Sequence, residues 1–232
     1  MTMIKTNESG RSMIEMLGVL AIIGVLSVGG IAGYSKAMNK FKTNKVADNV
    51  SMLVANIKTM YAQQSSYKDL TKGYAVDLGV VPDELVASKT AGASGAASTV
   101  TLTNAYNGSV DINASNSVGA TTSSSSTGDS LAFTIVFNGL SKEACITLAT
   151  NDWGSGYSSG LIAIQAAASD QAITNDANMT MGCDGNAGTG DNATHTACPG
   201  GSASAVPMDV TEAATACACN TGNTCSVMWK YY

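Results

Sequence analysis

Residues Met16–Tyr34 read MLGVLAIIGVLSVGGIAGY, a stretch of nineteen residues without a charge. A helix of that length spans about 28 Å, close to the roughly 30 Å of hydrocarbon in a bilayer. The stretch is longer than the apolar core of an ordinary signal peptide, which has about 7–15 residues. It therefore predicts a membrane-length helix. Taken alone, the stretch fits a plain signal anchor that carries an external domain.

The helical pattern continues beyond the apolar stretch. Apolar residues recur at steps of four, three, four and three, as on one face of an amphipathic helix. They are Val46, Val50, Leu53, Ile57 and Met60. Proline is absent between residues 1 and 81, so nothing sharply breaks this pattern. We predict one helix from about Ser12 to Gln63, with Asn49 and Lys58 on its other faces.

Charge and cysteine divide the chain into two parts. Residues 1–90 hold ten Lys/Arg and seven Asp/Glu, a net charge of +3, whereas residues 91–232 hold two and ten, a net charge of −8. This balance disfavours a uniformly basic nucleic-acid binder. The six cysteines all lie in the second part, at Cys145, Cys183, Cys198, Cys217, Cys219 and Cys225. An even set in a Ser/Thr/Gly-rich region is typical of disulfides, so this part is predicted to be exported to an oxidising compartment.

The residues before the apolar stretch, SGRSMIE over 9–15, place Glu15 five residues after Gly10. This spacing and the uncharged run that follows resemble the processing site and N-terminal helix of type IV prepilins, over about residues 9–62. The resemblance implies cleavage after Gly10, with Arg11 as the first mature residue and a suspected site of N-methylation. It also implies that Glu15 pairs with the α-amino group at Arg11 of an adjacent subunit and sets the register. The domains are then a leader over 1–10, an N-terminal helix over 11–63 and an exported globular domain over 64–232.

The second part of the chain shows short strands, short helices and loops. The predicted strands are Val100–Thr103, Val110–Ile112, Leu131–Phe137, Leu161–Ile164 and Val227–Tyr232. Short helices are predicted at Val81–Leu85, at Lys142–Thr150 with Ser141 as N-cap, and after Thr211 as N-cap. Two stretches of small residues, Ala87–Thr99 and Ser117–Gly128, are predicted to be exposed loops.

The order of strand 131–137, a helix bearing a cysteine, and a cysteine shortly before a final strand resembles the C-terminal half of type IVb pilins. This resemblance implies an α+β pilin fold, in which a long N-terminal helix packs on an antiparallel β-sheet and a disulfide staples the C-terminal region. It also implies that Cys145 pairs with a cysteine near the C-terminus. Among fifteen connectivities, the favoured pairs are Cys145–Cys217, Cys183–Cys198 and Cys219–Cys225. Cys145–Cys219 is nearly as good.

Other sites have weaker support. Cys217, Cys219 and Cys225 have the ligand type of a zinc site, but export and the even count favour disulfides. His195 with Cys198 would be a nucleophilic pair, although a lone histidine in a Gly/Asn/Thr loop is more often solvated. The segment from Asp184 to Asp191 offers oxygen ligands for calcium but lacks the order and closing Glu of a helix–loop–helix site. We therefore predict no catalytic residues and no cofactor, with calcium near Asp184 and Asp191 as a minor alternative.

The resemblance implies a structural subunit of a type IV pilus rather than an enzyme. Its expected partners are copies of itself, a prepilin peptidase, the inner-membrane pilus assembly machinery and a host or neighbouring-cell surface. The chain would lie in the inner membrane with its C-terminal domain in the periplasm, and then in an extracellular filament used for adhesion or aggregation. Alternatives are a minor pilin or tip adhesin, a type II secretion pseudopilin, and a signal-anchored periplasmic protein. Gly29, Gly30 and Gly33 indicate either close helix packing or a segment that loosens in the filament.

Overall fold

The computed structural model describes residues 13–93, 96–116, 130–154, 159–168, 173, 195–197, 206–219 and 224–232. The chain divides into two compact units, Met1–Phe41 and Lys42–Tyr232. Both units contain part of one helix, α1, which runs from Met13 to Tyr61. This agrees with the helix predicted from about Ser12 to Gln63.

The second half of α1 has one buried face. Its buried residues are Thr43, Val46, Asn49, Val50, Leu53 and Ile57. Two details of the predicted face are wrong. Asn49 was predicted on another face but is only 2% exposed, whereas Met60 is 44% exposed. At this end of the helix Tyr61 packs against the core instead of Met60.

A five-stranded antiparallel sheet forms the main layer of the second unit. Its order is β3–β4–β7–β5–β6, so the strand that comes last in the chain lies in the middle. The strands are β3 (Val110–Ser115), β4 (Ala132–Leu140), β5 (Leu161–Ala167), β6 (His195–Ala197) and β7 (Cys225–Tyr231). A separate antiparallel pair consists of β1 (Val86–Thr90) and β2 (Thr99–Leu102).

Strand register aligns apolar residues across one face of the sheet. Ile112 pairs with Ile135, and Trp229 lies between Ile135 and Ile164. All four are fully buried in the same core cluster as the buried face of α1. Trp229 also contacts two aromatic rings edge-on, that of Phe137 at 6.0 Å and that of Trp153 at 5.1 Å between centroids. The expected α+β architecture, with a long helix packed on an antiparallel sheet, is therefore confirmed.

Short helices connect these layers. They are α2 (Lys72–Asp77), a single 3₁₀ turn at Asp83–Leu85, α3 (Lys142–Thr150) and α4 (Val210–Ala216). Helix α3 has the predicted bounds, and Ser141 caps it by accepting a hydrogen bond from the Ala144 amide at 3.2 Å. The predicted cap of α4 is wrong by two residues. Asp209, and not Thr211, accepts the capping bond, which comes from the Thr211 amide at 2.9 Å.

The loop predicted over Ala87–Thr99 is also wrong, because β1 occupies its first part. This strand reads VASKT and its last four residues are exposed, so it lacks the alternation that identifies a strand in sequence. It forms through backbone pairing with β2. The second predicted loop, Ser117–Gly128, lies outside the described residues.

A buried polar network closes the turn between β2 and β3. The Asn104 side chain accepts hydrogen bonds from the amides of Tyr106 at 2.8 Å and Gly108 at 3.2 Å. Its Nδ2 donates to the carbonyl oxygen of Asn138 at 2.8 Å. A Cβ on Gly108 would overlap that same carbonyl oxygen, so the close approach of turn and strand requires glycine.

We predict that Gly108→Ala destabilises the protein. The new methyl group has to displace the backbone at Asn138, and such overpacking costs about 1–3 kcal/mol or more. The free energy of unfolding, measured by chemical denaturation of the full chain in detergent, reports the change. Gly30→Ala is the matched control, because a Cβ there meets no atom within 4 Å. Equal effects of the two substitutions would contradict the role of Gly108.

Asp77 connects α2 to the β1–β2 pair. Its carboxylate accepts hydrogen bonds from the Ser98 amide at 2.8 Å and the Ser98 hydroxyl at 2.7 Å, and it lies 2.9 Å from Lys89 Nζ. The hydrogen bond from Lys89, followed by those from Ser98, lowers the pKa of Asp77 from 3.8 to about 2. The charged form of Asp77 is therefore favoured in the folded state.

We predict that Asp77→Asn destabilises the protein at neutral pH but not in strong acid. Because the folded-state pKa lies below the unfolded value of about 3.9, the carboxylate stabilises the fold above about pH 4. This contribution is lost as the pH falls through about 2. Denaturation of the wild type and the variant across this window measures the difference. Asp48→Asn, which removes one exposed carboxylate on α1, is the control for the loss of a surface charge. A gap between wild type and Asp77→Asn that persists below pH 2 would contradict the mechanism.

Candidate functional site

The first unit exposes a continuous apolar surface, which we call the apolar helix surface and define as the side chains of residues 16–34 on α1. Each of its large apolar side chains is exposed. They are Met16, Leu17, Val19, Leu20, Ile22, Ile23, Val25, Leu26, Val28, Ile31 and Tyr34. Consecutive positions of a helix point in all directions around it, so no side of this segment is polar. By length and composition, the helix is long and apolar enough to cross a membrane.

Glu15 lies in the first turn of α1, immediately before the apolar helix surface, and is exposed. A carboxylate in the first turn interacts favourably with the positive end of the helix dipole. When the neighbouring apolar surface is buried away from water, the charged carboxylate is energetically unfavourable there unless it meets a positively charged partner. The predicted cleavage residues Gly10 and Arg11 lie outside the described residues.

The glycines of this segment make no close packing contact with the part of the chain that the structure describes. A Cβ at Gly18, Gly24, Gly29, Gly30 or Gly33 would meet no atom within 4 Å. The helix is unbroken through all of them, although each costs about 1 kcal/mol relative to Ala.

Two disulfides fix the C-terminal region. Cys145 on α3 is bonded to Cys217 after α4, with the two Cα atoms 5.9 Å apart. Cys219 is bonded to Cys225 at the start of β7, with a Cα separation of 5.7 Å. Both pairs are the ones favoured from the sequence, and Cys145–Cys219 does not form. Cys183 and Cys198 lie outside the described residues, so their pairing stays a prediction.

Local structure brings these cysteines together. The amide of Met208 donates to the carbonyl oxygen of Ala149 at 3.2 Å, so α4 begins next to the end of α3. Cys225 pairs in register with Leu140, the residue just before the cap of α3. As a result, the Sγ atoms of Cys145, Cys217 and Cys225 all lie within 4.8 Å of one another. We call these three atoms the sulfur cluster.

The structure bears on the zinc and histidine candidates of the sequence but not on the calcium candidate. A zinc site at Cys217, Cys219 and Cys225 requires thiolates, whereas these sulfurs are bonded in disulfides. His195 lies in strand β6, not in a loop as predicted, because its backbone pairs with Ala166 of β5. Cys198 and the calcium candidates Asp184 and Asp191 lie outside the described residues.

Sequence reasoning missed the role of Lys58, which it placed on a face of α1 other than the apolar one and to which it gave no contact. Lys58 Nζ donates to the carbonyl oxygen of Ser159 at 2.9 Å and lies 5.0 Å from the centroid of the Tyr231 ring. Burial lowers the pKa of Lys58 and raises the pKa of Tyr231. Lys58 therefore ties the end of α1 to β7. The sequence offered one signal for this contact, namely that Lys58 directly follows Ile57, which belongs to the predicted apolar face.

An open groove of about 280 Å³ lies beside Lys58 at the C-terminal end of α1. Its lining combines an ammonium group, aromatic rings and small hydroxyl groups. The lining residues are Lys58, Tyr61, Ala62, Gln64, Ser65, Ser66, Tyr67, Leu131 and Tyr232. The rings of Tyr61 and Tyr67 are 5.2 Å apart between centroids, and that of Tyr67 is 4.8 Å from Phe133, so one wall continues into the core.

Comparisons with known proteins identify the family. A family model described as PilS N terminal matches residues 40–198, which is more than half of the chain. No curated protein matches the chain. Among solved structures, the crystal structure of type IV b pilin from Salmonella typhi is similar, with 16% sequence identity and a TM-score of 0.43, over 79% of this chain and 95% of that chain. The extent of the family match leads to one conclusion: this chain belongs to the PilS family of type IVb-like pilins.

Proposed function

We propose that this protein is a structural subunit of a type IVb-like pilus, held in the inner membrane before it is assembled into a helical filament. The observation that carries the proposal is the apolar helix surface. Its side chains are exposed on every side of α1. In water this surface needs a cover, and burial of each large side chain contributes on the order of 1.5–3 kcal/mol.

The apolar helix surface would be covered by two different environments, one before assembly and one after it. Lipid covers it while α1 spans the bilayer, and α1 segments of neighbouring copies cover it after extraction. A head-to-tail contact between identical chains that does not close on itself produces a filament. Exposed glycines along α1 fit this second state, because small residues let helix backbones approach closely.

Glu15 would set the register of the filament. We propose that its carboxylate pairs with the α-amino group that cleavage after Gly10 creates at Arg11 of the adjacent subunit. An ion pair in apolar surroundings is sensitive to position, since an unpaired carboxylate there is strongly unfavourable. Displacement of one subunit along its neighbour would separate the two charges.

Export of the second unit is supported by its disulfides. Cys145–Cys217 closes a loop of 72 residues between α3 and the end of α4. Bridges of this kind form and persist in oxidising compartments such as the periplasm. We propose that a prepilin peptidase and the inner-membrane assembly machinery act on the chain at that stage. Adhesion or cell aggregation would be the role of the assembled pilus.

We predict that protein from the native membrane or from a sheared-filament fraction begins at Arg11. Intact-mass and N-terminal analysis, with and without reduction, should show the loss of residues 1–10 and six oxidised cysteines. A mass increment of one methyl group at Arg11 would report N-methylation. A chain that still begins at Met1, or one cut beyond Gly33, would contradict processing of the prepilin type.

We predict that Glu15→Ala abolishes filaments and leaves the second unit folded. Glu15 is exposed in the single chain, so its loss removes no contact of the core. Electron microscopy of sheared cells measures filaments, and thermal unfolding of the detergent-purified protein measures the fold. Asp48→Ala is the matched control, because Asp48 is an exposed carboxylate on the same helix outside the apolar helix surface. Normal filaments from Glu15→Ala, or equal loss of filaments in both variants, would contradict the role of Glu15.

A further inference from the structure

The two described disulfides lie close together. The sulfur cluster consists of both sulfurs of the Cys145–Cys217 bond and one sulfur of the neighbouring bridge, that of Cys225. All three residues of the cluster are fully buried. Cys225 Sγ also lies 3.5 Å from the carbonyl oxygen of Cys217. A sulfur of one bridge is therefore held against the other bridge.

The fourth cysteine differs from these three. Cys219 is half-buried and lies outside the sulfur cluster. Of the two ends of this bond, the Cys219 end therefore belongs to the less buried residue and the Cys225 end lies in the core. An external thiolate attacks the sulfur that it reaches, and the other sulfur of the bond becomes the leaving group.

We propose that Cys219–Cys225 is a thiol-exchange site, at which a small thiol enters and passes the exchange inward to Cys145–Cys217. In the first step, the external thiolate bonds to Cys219 Sγ, the Cys219–Cys225 bond breaks, and its electron pair stays on Cys225 Sγ. In the second step, the Cys225 thiolate bonds to one sulfur of Cys145–Cys217. The other sulfur leaves as a thiolate and takes a proton from water.

This sequence needs no oxidant or reductant beyond the entering thiol. Two disulfide bonds are present before the exchange and two are present after it, one of which is the mixed disulfide at Cys219. The second step is intramolecular, and a positioned group reacts much faster than the same group free in solution. Cys225 is the first residue of β7, so the new bridge still connects the sheet to α3 or to the end of α4. The exchange does not depend on filament formation.

The first test uses the wild-type full-length protein in detergent. The protein is treated with glutathione, the free thiols are trapped with iodoacetamide, and unreduced peptides are mapped by mass spectrometry. We expect glutathione on Cys219 and the alkyl group on Cys145 or Cys217. Glutathione on Cys219 with the alkyl group on Cys225 would overturn the inward step. Glutathione confined to Cys183 or Cys198 would overturn the entry site.

The second test compares two variants that each leave one unpaired cysteine. In Cys219→Ser the remaining thiol is that of Cys225, which belongs to the sulfur cluster. We expect a mixture in which some molecules keep Cys145–Cys217 and others have Cys225 bonded to Cys145 or Cys217. In Cys225→Ser the remaining thiol, Cys219, lies outside the cluster, and we expect Cys145–Cys217 to stay intact. Rearrangement in both variants, or in neither, would contradict the proposal. Near-ultraviolet circular dichroism checks that both variants are folded, and if either is not, the wild-type map decides.

Discussion

The structure depends on α1 being one unbroken helix. One run of helical hydrogen bonds from Met13 to Tyr61 joins a segment with exposed apolar side chains to a segment with one face in the core. The first segment has no way of covering itself, since its apolar side chains point in all directions. The second is anchored by Val46, Val50, Leu53 and Ile57, which are fully buried. The two segments of one helix therefore differ in what their apolar side chains contact.

Local sequence patterns were sufficient to predict a helix where one face of that helix is buried at regular spacing. The apolar spacing of α1 predicted its length, and the serine before Lys142 predicted the start of α3. Prediction failed where backbone pairing or a distant partner determines the structure. Strand β1 has polar, exposed side chains and forms by pairing with β2. Lys58 was predicted only to lie on another face of α1, and its carbonyl partner lies 101 residues away in sequence.

The candidate functional residues also divide into those that a local sequence pattern predicts and those that depend on distant partners. The apolar stretch and Glu15 form a local pattern, which the sequence displays directly. The Cys145–Cys217 disulfide is non-local, and the preference for this pair rested on a resemblance and not on spacing. The family model matches residues 40–198 and so begins after the apolar stretch. The prepilin resemblance, over about residues 9–62, includes the apolar stretch, which the family match does not cover. Proximity of Cys225 to the Cys145–Cys217 bridge has no signal in the sequence, because it arises from the meeting of α3, α4 and β7.

The central position of β7 has a consequence for biogenesis. This strand follows every other described strand in chain order, yet it supplies the pairing partner of both β4 and β5. Until residues 225–231 are in place, the β3–β4 and β5–β6 pairs are separate and each has an unpaired edge. Such edges favour association with other chains. The five-stranded sheet is therefore completed only when β7, the last of the described strands in chain order, pairs with β4 and β5.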